Sequence, residues 1–213
     1  PLGLMISRLT EDPIFYFSWV FAVVLSVVLH ELGHGFAAIW QGDDTPRETG
    51  HMTLDPMVHM GGFSILLLLI VGIAFGSMPV NPSRFRSKYG DAYVSFAGPA
   101  VNLLLALIAL TALGAWQRFG GPPESALAAN AQQFLGLLGF LNIALFAFNL
   151  LPIPPLDGST VLGNFSPGYK RLVSDPNNQP IFMGGFILVF FFAGELFAWA
   201  DSTAAAYLRL WLA

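Results

Sequence analysis

Five apolar stretches divide this sequence, each close to the roughly 20 residues a helix needs to cross the ~30 Å core of a bilayer. They run from Ile14 to Trp40, Gly61 to Pro79, Ala92 to Trp116, Gln132 to Leu151 and Ile181 to Trp199. A shorter apolar tail, Thr203 to Ala213, is expected at the membrane interface. Charged residues make up 10% of the chain and apolar ones 55%, where a soluble domain carries about 25% charge. That leaves too little polar surface for a soluble domain and too much hydrophobicity for a disordered one. The chain has no cysteine, which excludes a disulfide framework, a thiolate zinc site and thiol catalysis. A net charge of −4 gives nucleic acid no basic surface to bind. The first stretch is too long for a cleavable signal and lacks a small-residue cleavage site. Residues 1–4, before Met5, read as a tag-cleavage remnant, and the whole of 1–213 as one membrane-embedded domain.

Within so apolar a chain, an ionisable residue inside a membrane stretch is a functional candidate. The first stretch holds three: His30, Glu31 and His34, in Leu29-His30-Glu31-Leu32-Gly33-His34. On a helix, residues four apart share a face, so both histidines can reach one metal ion. Glu31 lies between them, placed to take a proton from a water that the ion polarises. The alternative, a chance pattern, would leave three ionisable groups at membrane depth without a partner.

Catalytic zinc commonly has three protein ligands and one open position. The third ligand is open among His51, His59 and a carboxylate held at membrane depth. Asp157 stands out, in Asn149-Leu150-Leu151-Pro152-Ile153-Pro154-Pro155-Leu156-Asp157-Gly158. Three prolines end the fourth stretch and strand its carbonyls. Such backbone is tolerated at membrane depth only where protein or water surrounds it. The plainer reading is a helix exit with Asp-Gly as turn residues.

His-Glu-Leu-Gly-His followed by Asn-x-x-Pro-x-Pro-Pro-Leu-Asp-Gly resembles the site-2 protease family of intramembrane zinc metalloproteases. Val80-Asn81-Pro82 with Arg84-Phe85-Arg86, and Ala97-Gly98-Pro99-Ala100-Val101-Asn102, match its short subgroup, which lacks PDZ and CBS domains. The resemblance runs from about Val28 to Val161. It implies His30, His34 and Asp157 as ligands of Zn2+, Glu31 as general base, and roles near the site for Asn102 and Asn149. It also implies a transmembrane protein or peptide as substrate and a bacterial or archaeal cell membrane as location. The sequence departs from the subgroup after Thr53-Leu54. There it reads Asp55-Pro56, then His59-Met60-Gly61-Gly62, without the Asp-Pro step that follows the histidine in relatives.

In this reading Asn149 or Asn102 donates a hydrogen bond to the oxyanion; otherwise each bonds helix to helix. A substrate helix must unwind before attack, and an extended segment can be held along a strand edge. Residues 45–58 are expected to supply a short extended or β-like edge. His51 and His59 flank it, as lining residues, second-metal ligands or plain loop residues.

One ion bound by His34 and Asp157 requires the first and fourth helices to be parallel. Two full crossings between them would make them antiparallel, so residues 61–79 are expected to be partly spanning or re-entrant. Arg47, Arg84, Arg86, Lys88, Lys170 and Arg171 then share a side, against Arg8, Arg118 and Arg209 on the other. The positive-inside rule places the 80–91 and 152–180 loops in the cytoplasm. The fold expected is an all-α polytopic membrane protein. Three transmembrane helices surround a zinc site, with the 61–79 segment and a C-terminal helix added. The competing function is a proteolytically silent membrane zinc protein, a regulator or metal carrier. A carrier usually shows more intramembrane ligands and internal symmetry; beyond the site, Glu195 is the one acidic candidate in the last stretch.

Overall fold

A computed structural model describes residues 4–191 and 193–212; Pro1–Gly3, part of the stretch read above as a tag remnant, lie outside them. The chain is helical, with no strand among the described residues. After the single turn α1 (Arg8–Glu11), α2 runs from Pro13 to Trp40. Its start follows local chemistry: Pro13 has no amide to satisfy, and the Asp12 carboxylate accepts from the Phe15 amide at 3.0 Å. A second single turn, α3 (Thr45–Glu48), precedes α4 (Pro56–Val71). Then come α5 (Gly90–Phe119), α6 (Ala126–Asn149), α7 (Asp157–Phe165), α8 (Pro167–Ser174), α9 (Gln179–Phe191) and α10 (Ala193–Leu212).

Helices α2, α5 and α6 have 28, 30 and 24 residues and are long and apolar enough to cross a membrane. Cross-helix pairs set their directions. Phe21 meets Phe134 and Ser26 meets Asn142, so numbering rises together in α2 and α6 and the two are parallel. His34 meets Val94 and His30 meets Asn102, so α5 is antiparallel to both. Small residues let the helices approach closely. A Cβ on Gly33 would lie 2.9 Å from the Ala97 carbonyl of α5, and one on Gly139 2.5 Å from Leu110.

The segment expected to be re-entrant is a helix going one way and irregular backbone coming back. Asp55 caps α4 by accepting from the Met57 amide. The helix is kinked at Gly61, where φ is +67°, and ends at Gly72, where φ is +92°. Both angles lie in the left-handed region that glycine enters without a steric cost. The chain then returns along α4. Ser64 Oγ accepts from the Phe75 amide and donates to its carbonyl, and the Ser77 amide donates to the His59 carbonyl. Tyr16 Oη and Trp19 Nε1 of α2 hold the tip by donating to the Leu69 and Gly72 carbonyls. At the base, the fully buried Asp43 carboxylate accepts from the Asn81 amide at 2.6 Å and from the Thr45 hydroxyl and amide. The hairpin therefore opens and closes beside the same end of α2.

Three local expectations are corrected. Residues 45–58 do not form an extended edge: Pro46 opens α3 and the Asp55-Pro56 cap opens α4 within that stretch, and helical capping wins over weak alternation. The last apolar stretch is two helices, α9 and α10, bent by 53°. The tail beyond Thr203 continues α10 and packs on the bundle. Ala200 and Ala204 cluster with Ala106, Leu110 and Ile143, and Tyr207 Oη lies 2.8 Å from Thr111 Oγ1.

Candidate metal centre

His30 and His34 lie on consecutive turns of α2, with both rings turned toward α5. Their δ nitrogens are engaged there. His34 Nδ1 donates to the Val94 carbonyl at 2.7 Å, an oxygen that can only accept. His30 Nδ1 lies 2.6 Å from Asn102 Oδ1. Both imidazoles thus carry their proton on Nδ1 and present a bare Nε2, the arrangement found in metal-ligating histidines. The two Nε2 atoms are 3.0 Å apart. The Asp157 carboxylate reaches them from the N-terminus of α7, with Oδ2 3.2 Å from His30 Nε2 and Oδ1 3.4 Å from His34 Nε2. Ligand atoms about 2.0–2.1 Å from a tetrahedral zinc stand roughly 3.3 Å from one another. The three donors are spaced for such an ion, and two imidazole nitrogens with a carboxylate oxygen are a donor set that suits zinc.

Two glycines make room for this cluster. A Cβ on Gly98 would lie 2.5 Å from His34 Nε2 and 2.6 Å from His30 Nε2. A Cβ on Gly76, in the returning limb of the hairpin, would lie 2.6 Å from Glu31 Oε1. Glu31 is buried and lines a cavity of about 560 Å3 together with His30, Asn102 and Asn149. The opposite wall is the returning backbone from Ile73 to Gly76, and Phe186 of α9 adds an apolar side.

The sequence-predicted residues fall into two groups. His30, His34 and Asp157 converge, with Glu31 beside them and Asn102 bonded to His30. Asn149 lines the cavity, but its Nδ2 donates to the Leu145 carbonyl of its own helix at 3.0 Å. His51 and His59 lie apart from the ligand cluster, with ring centroids 6.2 Å from each other. His59 is buried; its Nε2 donates to the Thr53 carbonyl, and its Nδ1 has no protein partner. Glu195 is exposed on α10. Sequence reasoning missed Gly98 and Gly76, whose contribution is the lack of a side chain. It also missed Asn142, one of several side-chain amides on α6.

A three-donor site with an adjacent carboxylate, built between membrane-length helices, is the architecture of a membrane metallopeptidase. The model of peptidase family M50 matches residues 18–120 and 116–192, and the chain belongs to that family. YwhC of Bacillus subtilis, provisionally named a zinc metalloprotease, is 36% identical over 150 residues, covering 70% of this chain and 68% of its own. Rip2 of Mycobacterium tuberculosis, provisionally named likewise, is 33% identical over 202 residues, covering 89% of this chain and 74% of its own. The zinc metalloprotease MJ0392 of Methanocaldococcus jannaschii is 30% identical over 161 residues, and the match spans 37% of that longer protein. No solved structure matches the chain.

Proposed function

We propose that this protein is an intramembrane zinc endopeptidase that cuts peptide bonds within or near the transmembrane segments of membrane-protein substrates. The observation that carries the proposal is the convergence of His30 Nε2, His34 Nε2 and the Asp157 carboxylate beside Glu31, at the edge of a cavity between membrane-length helices. His30, His34 and Asp157 would hold the ion. Zinc, when bound, supplies a Lewis acid that brings the pKa of a water to about 7 and stabilises negative charge on the scissile carbonyl oxygen.

The chain's residues supply the rest. Val94 and Asn102 hold the two imidazoles as Nε2 donors. Glu31 takes the proton of the attacking water on a carboxylate oxygen and returns it to the leaving amine. Asn149 retains an amide hydrogen beyond the one given to Leu145, which is available to the oxyanion or to a substrate carbonyl. The Ile73–Gly76 backbone takes the place expected of residues 45–58: an unwound substrate segment would lie along it, opposite the ligands. The cavity wall is mostly apolar. The loops 80–91 and 152–180 are assigned to the cytoplasm on the distribution of Lys and Arg.

The test pairs metal content with cleavage. Wild type, Glu31→Gln and Asp157→Ala are purified in detergent, and zinc per chain and cleavage of a transmembrane peptide are measured. The proposal requires near one zinc in wild type and Glu31→Gln, less in Asp157→Ala, and cleavage by wild type alone. Zinc without cleavage of any peptide would favour the regulatory reading, and wild type without zinc after reconstitution would refute both.

A further inference from the structure

Behind His30 a run of buried hydrogen bonds crosses three helices and returns to the helix it started from. His30 Nδ1 meets Asn102 Oδ1 on α5 at 2.6 Å. Asn102 Nδ2 donates to Asn142 Oδ1 on α6 at 2.8 Å. Asn142 Nδ2 donates to Ser26 Oγ on α2 at 2.8 Å, and also to the Leu138 carbonyl at 2.9 Å. Ser26 Oγ donates to the Ala22 carbonyl at 2.7 Å. Ser26, Asn102 and Asn142 are each 0% exposed.

We propose that Asn142 and Ser26 are positioning residues that fix the tautomer and orientation of His30, and through it the affinity and geometry of the metal site. The inference rests on the ligand role proposed for His30. It follows from counting hydrogens. The Ser26 hydroxyl has one hydrogen, directed to Ala22, so Ser26 can only accept from Asn142. Asn142 must therefore turn its nitrogen to Ser26 and its oxygen to Asn102. Asn102 must then turn its nitrogen to Asn142 and its oxygen to His30. An oxygen at that place accepts a hydrogen bond, so His30 carries its hydrogen on Nδ1 and keeps Nε2 bare. Every donor in the run points the same way and the last acceptor is a helix carbonyl, an order in which neighbouring bonds reinforce each other.

A plain helix-to-helix role does not require this order. Asn149, one of the neighbouring amides on α6, donates to its own helix at the carbonyl four residues back. Asn142 makes that same bond and still commits its other hydrogen and its oxygen across two helix interfaces. Outer partners of metal-ligating histidines typically alter metal affinity 10- to 100-fold when removed.

The experiment measures zinc affinity by chelator competition, and the visible spectrum of the Co2+-loaded protein, on the full chain in detergent. Asn142→Leu is expected to weaken zinc binding about 10- to 100-fold and to shift the cobalt bands. Asn142→Asp is the conservative rescue: held protonated at that depth, its hydroxyl reaches Ser26 and its carbonyl oxygen accepts from Asn102. Its affinity should return to within a few-fold of wild type. The double variant Asn102→Ala/Asn142→Leu should bind no more weakly than Asn102→Ala alone, because both act through one ring. Ser26→Ala, a mild change, should weaken zinc in the same direction by a smaller factor. Thr111→Val, which cuts a bond between α5 and α10 away from the site, serves as the control for simple loss of stability. Wild-type affinity and spectrum in Asn142→Leu, multiplying losses in the double variant, or an equal loss in Thr111→Val would overturn the proposal. Should Asn142→Leu not fold, wild-type affinity in Ser26→Ala would overturn it instead. A wild-type chain that binds no zinc would refute the ligand assignment, a distinct result that removes this inference with it.

Discussion

Replacing Gly98 by alanine should weaken zinc binding at least about 100-fold without substituting any proposed ligand. The added Cβ would stand 2.5 Å from His34 Nε2, 2.6 Å from His30 Nε2 and 2.6 Å from His34 Cε1. Ordinary van der Waals contact begins near 3.4 Å, so the two nitrogens must retreat by close to an ångström. They have little freedom to do so. Val94 and Asn102, which hold the two Nδ1 atoms, lie four residues to either side of Gly98 on the same helix. The imidazoles bridge the glycine and are fastened at both ends, so α5 moving away carries their anchors with it. Zinc ligation tolerates errors of about 0.2 Å in ligand distance, several times less than the shift imposed. Affinity is expected to fall at least 100-fold, about 2.8 kcal/mol at 1.4 kcal/mol per tenfold. Overpacking itself costs about 1–3 kcal/mol of stability, so binding must be read apart from folding. Thermal unfolding in detergent, with and without added zinc, separates the two. Wild type should gain stability with zinc through linkage, and Gly98→Ala should gain up to about 2.8 kcal/mol less at the same free zinc. One zinc per chain in Gly98→Ala, held within about threefold of wild-type affinity, would refute the packing argument.

Three further predictions probe the frame around the site. Gly76→Ala brings a Cβ within 2.6 Å of Glu31 Oε1 and 2.8 Å of Val27; zinc content should stay near one while kcat falls on the order of 100-fold, and unchanged kcat would remove the hairpin limb from the site. Single cysteines at exposed Asp44 and exposed Lys88 should be labelled by an impermeant reagent from the same side of the membrane; labelling from opposite sides would sink the re-entrant arrangement. Burial pushes the Asp43 carboxyl up, but the Asn81 amide, the Thr45 hydroxyl and amide and the Arg84 guanidinium hold it below its ordinary value. Its contribution is therefore fully present above the unfolded pKa of about 3.9 and is lost as pH falls through the folded value. Asp43→Asn should lower the melting temperature at pH 7, with the difference from wild type shrinking as pH falls below about 4; a difference that grows as pH falls below that value would refute the assignment.

The long helices were legible because their signal is redundant, repeated over about twenty apolar residues, although the apolar run at 61–79 turns back instead of crossing. The ends of α2 and α6 fell within a few residues of expectation, and α5 likewise. The hidden parts depend on groups that pattern does not weight. The α4 hairpin turns on the left-handed Gly72 and is held by Tyr16, Trp19, Ser64 and Asp43, each of which reads alone as an ordinary residue. Asp43 and Asn81 are 38 positions apart, a pairing that local periodicity cannot express. At the site the same division holds. Histidine at i and i+4 on an apolar helix has few explanations, so the ligands stand out. Gly98 acts through an absent atom, and Asn142 through a hydrogen bond to another amide.

The re-entrant segment follows from a parity constraint that any single-ion site of this kind must meet. His30 and His34 lie on α2 and Asp157 just past the end of α6, so one ion joins them only if α2 and α6 point the same way. An odd number of crossings must separate the end of one from the start of the other. One is α5, and a full crossing at 56–80 would make two, reversing α5 and leaving α6 antiparallel to α2. Yet α5 must keep its direction, because Val94 meets His34 and Asn102 meets His30 in antiparallel order. The chain between Trp40 and Gly90 must therefore begin and end at one level. The 2.6 Å bond from the Asn81 amide to Asp43 is the closure of that excursion. The constraint also brings the returning limb back past Glu31, which places Gly76 against the proposed base. Topology and the proposed catalysis thus share one device: the hairpin that keeps the number of crossings odd is also the wall facing the proposed metal ligands.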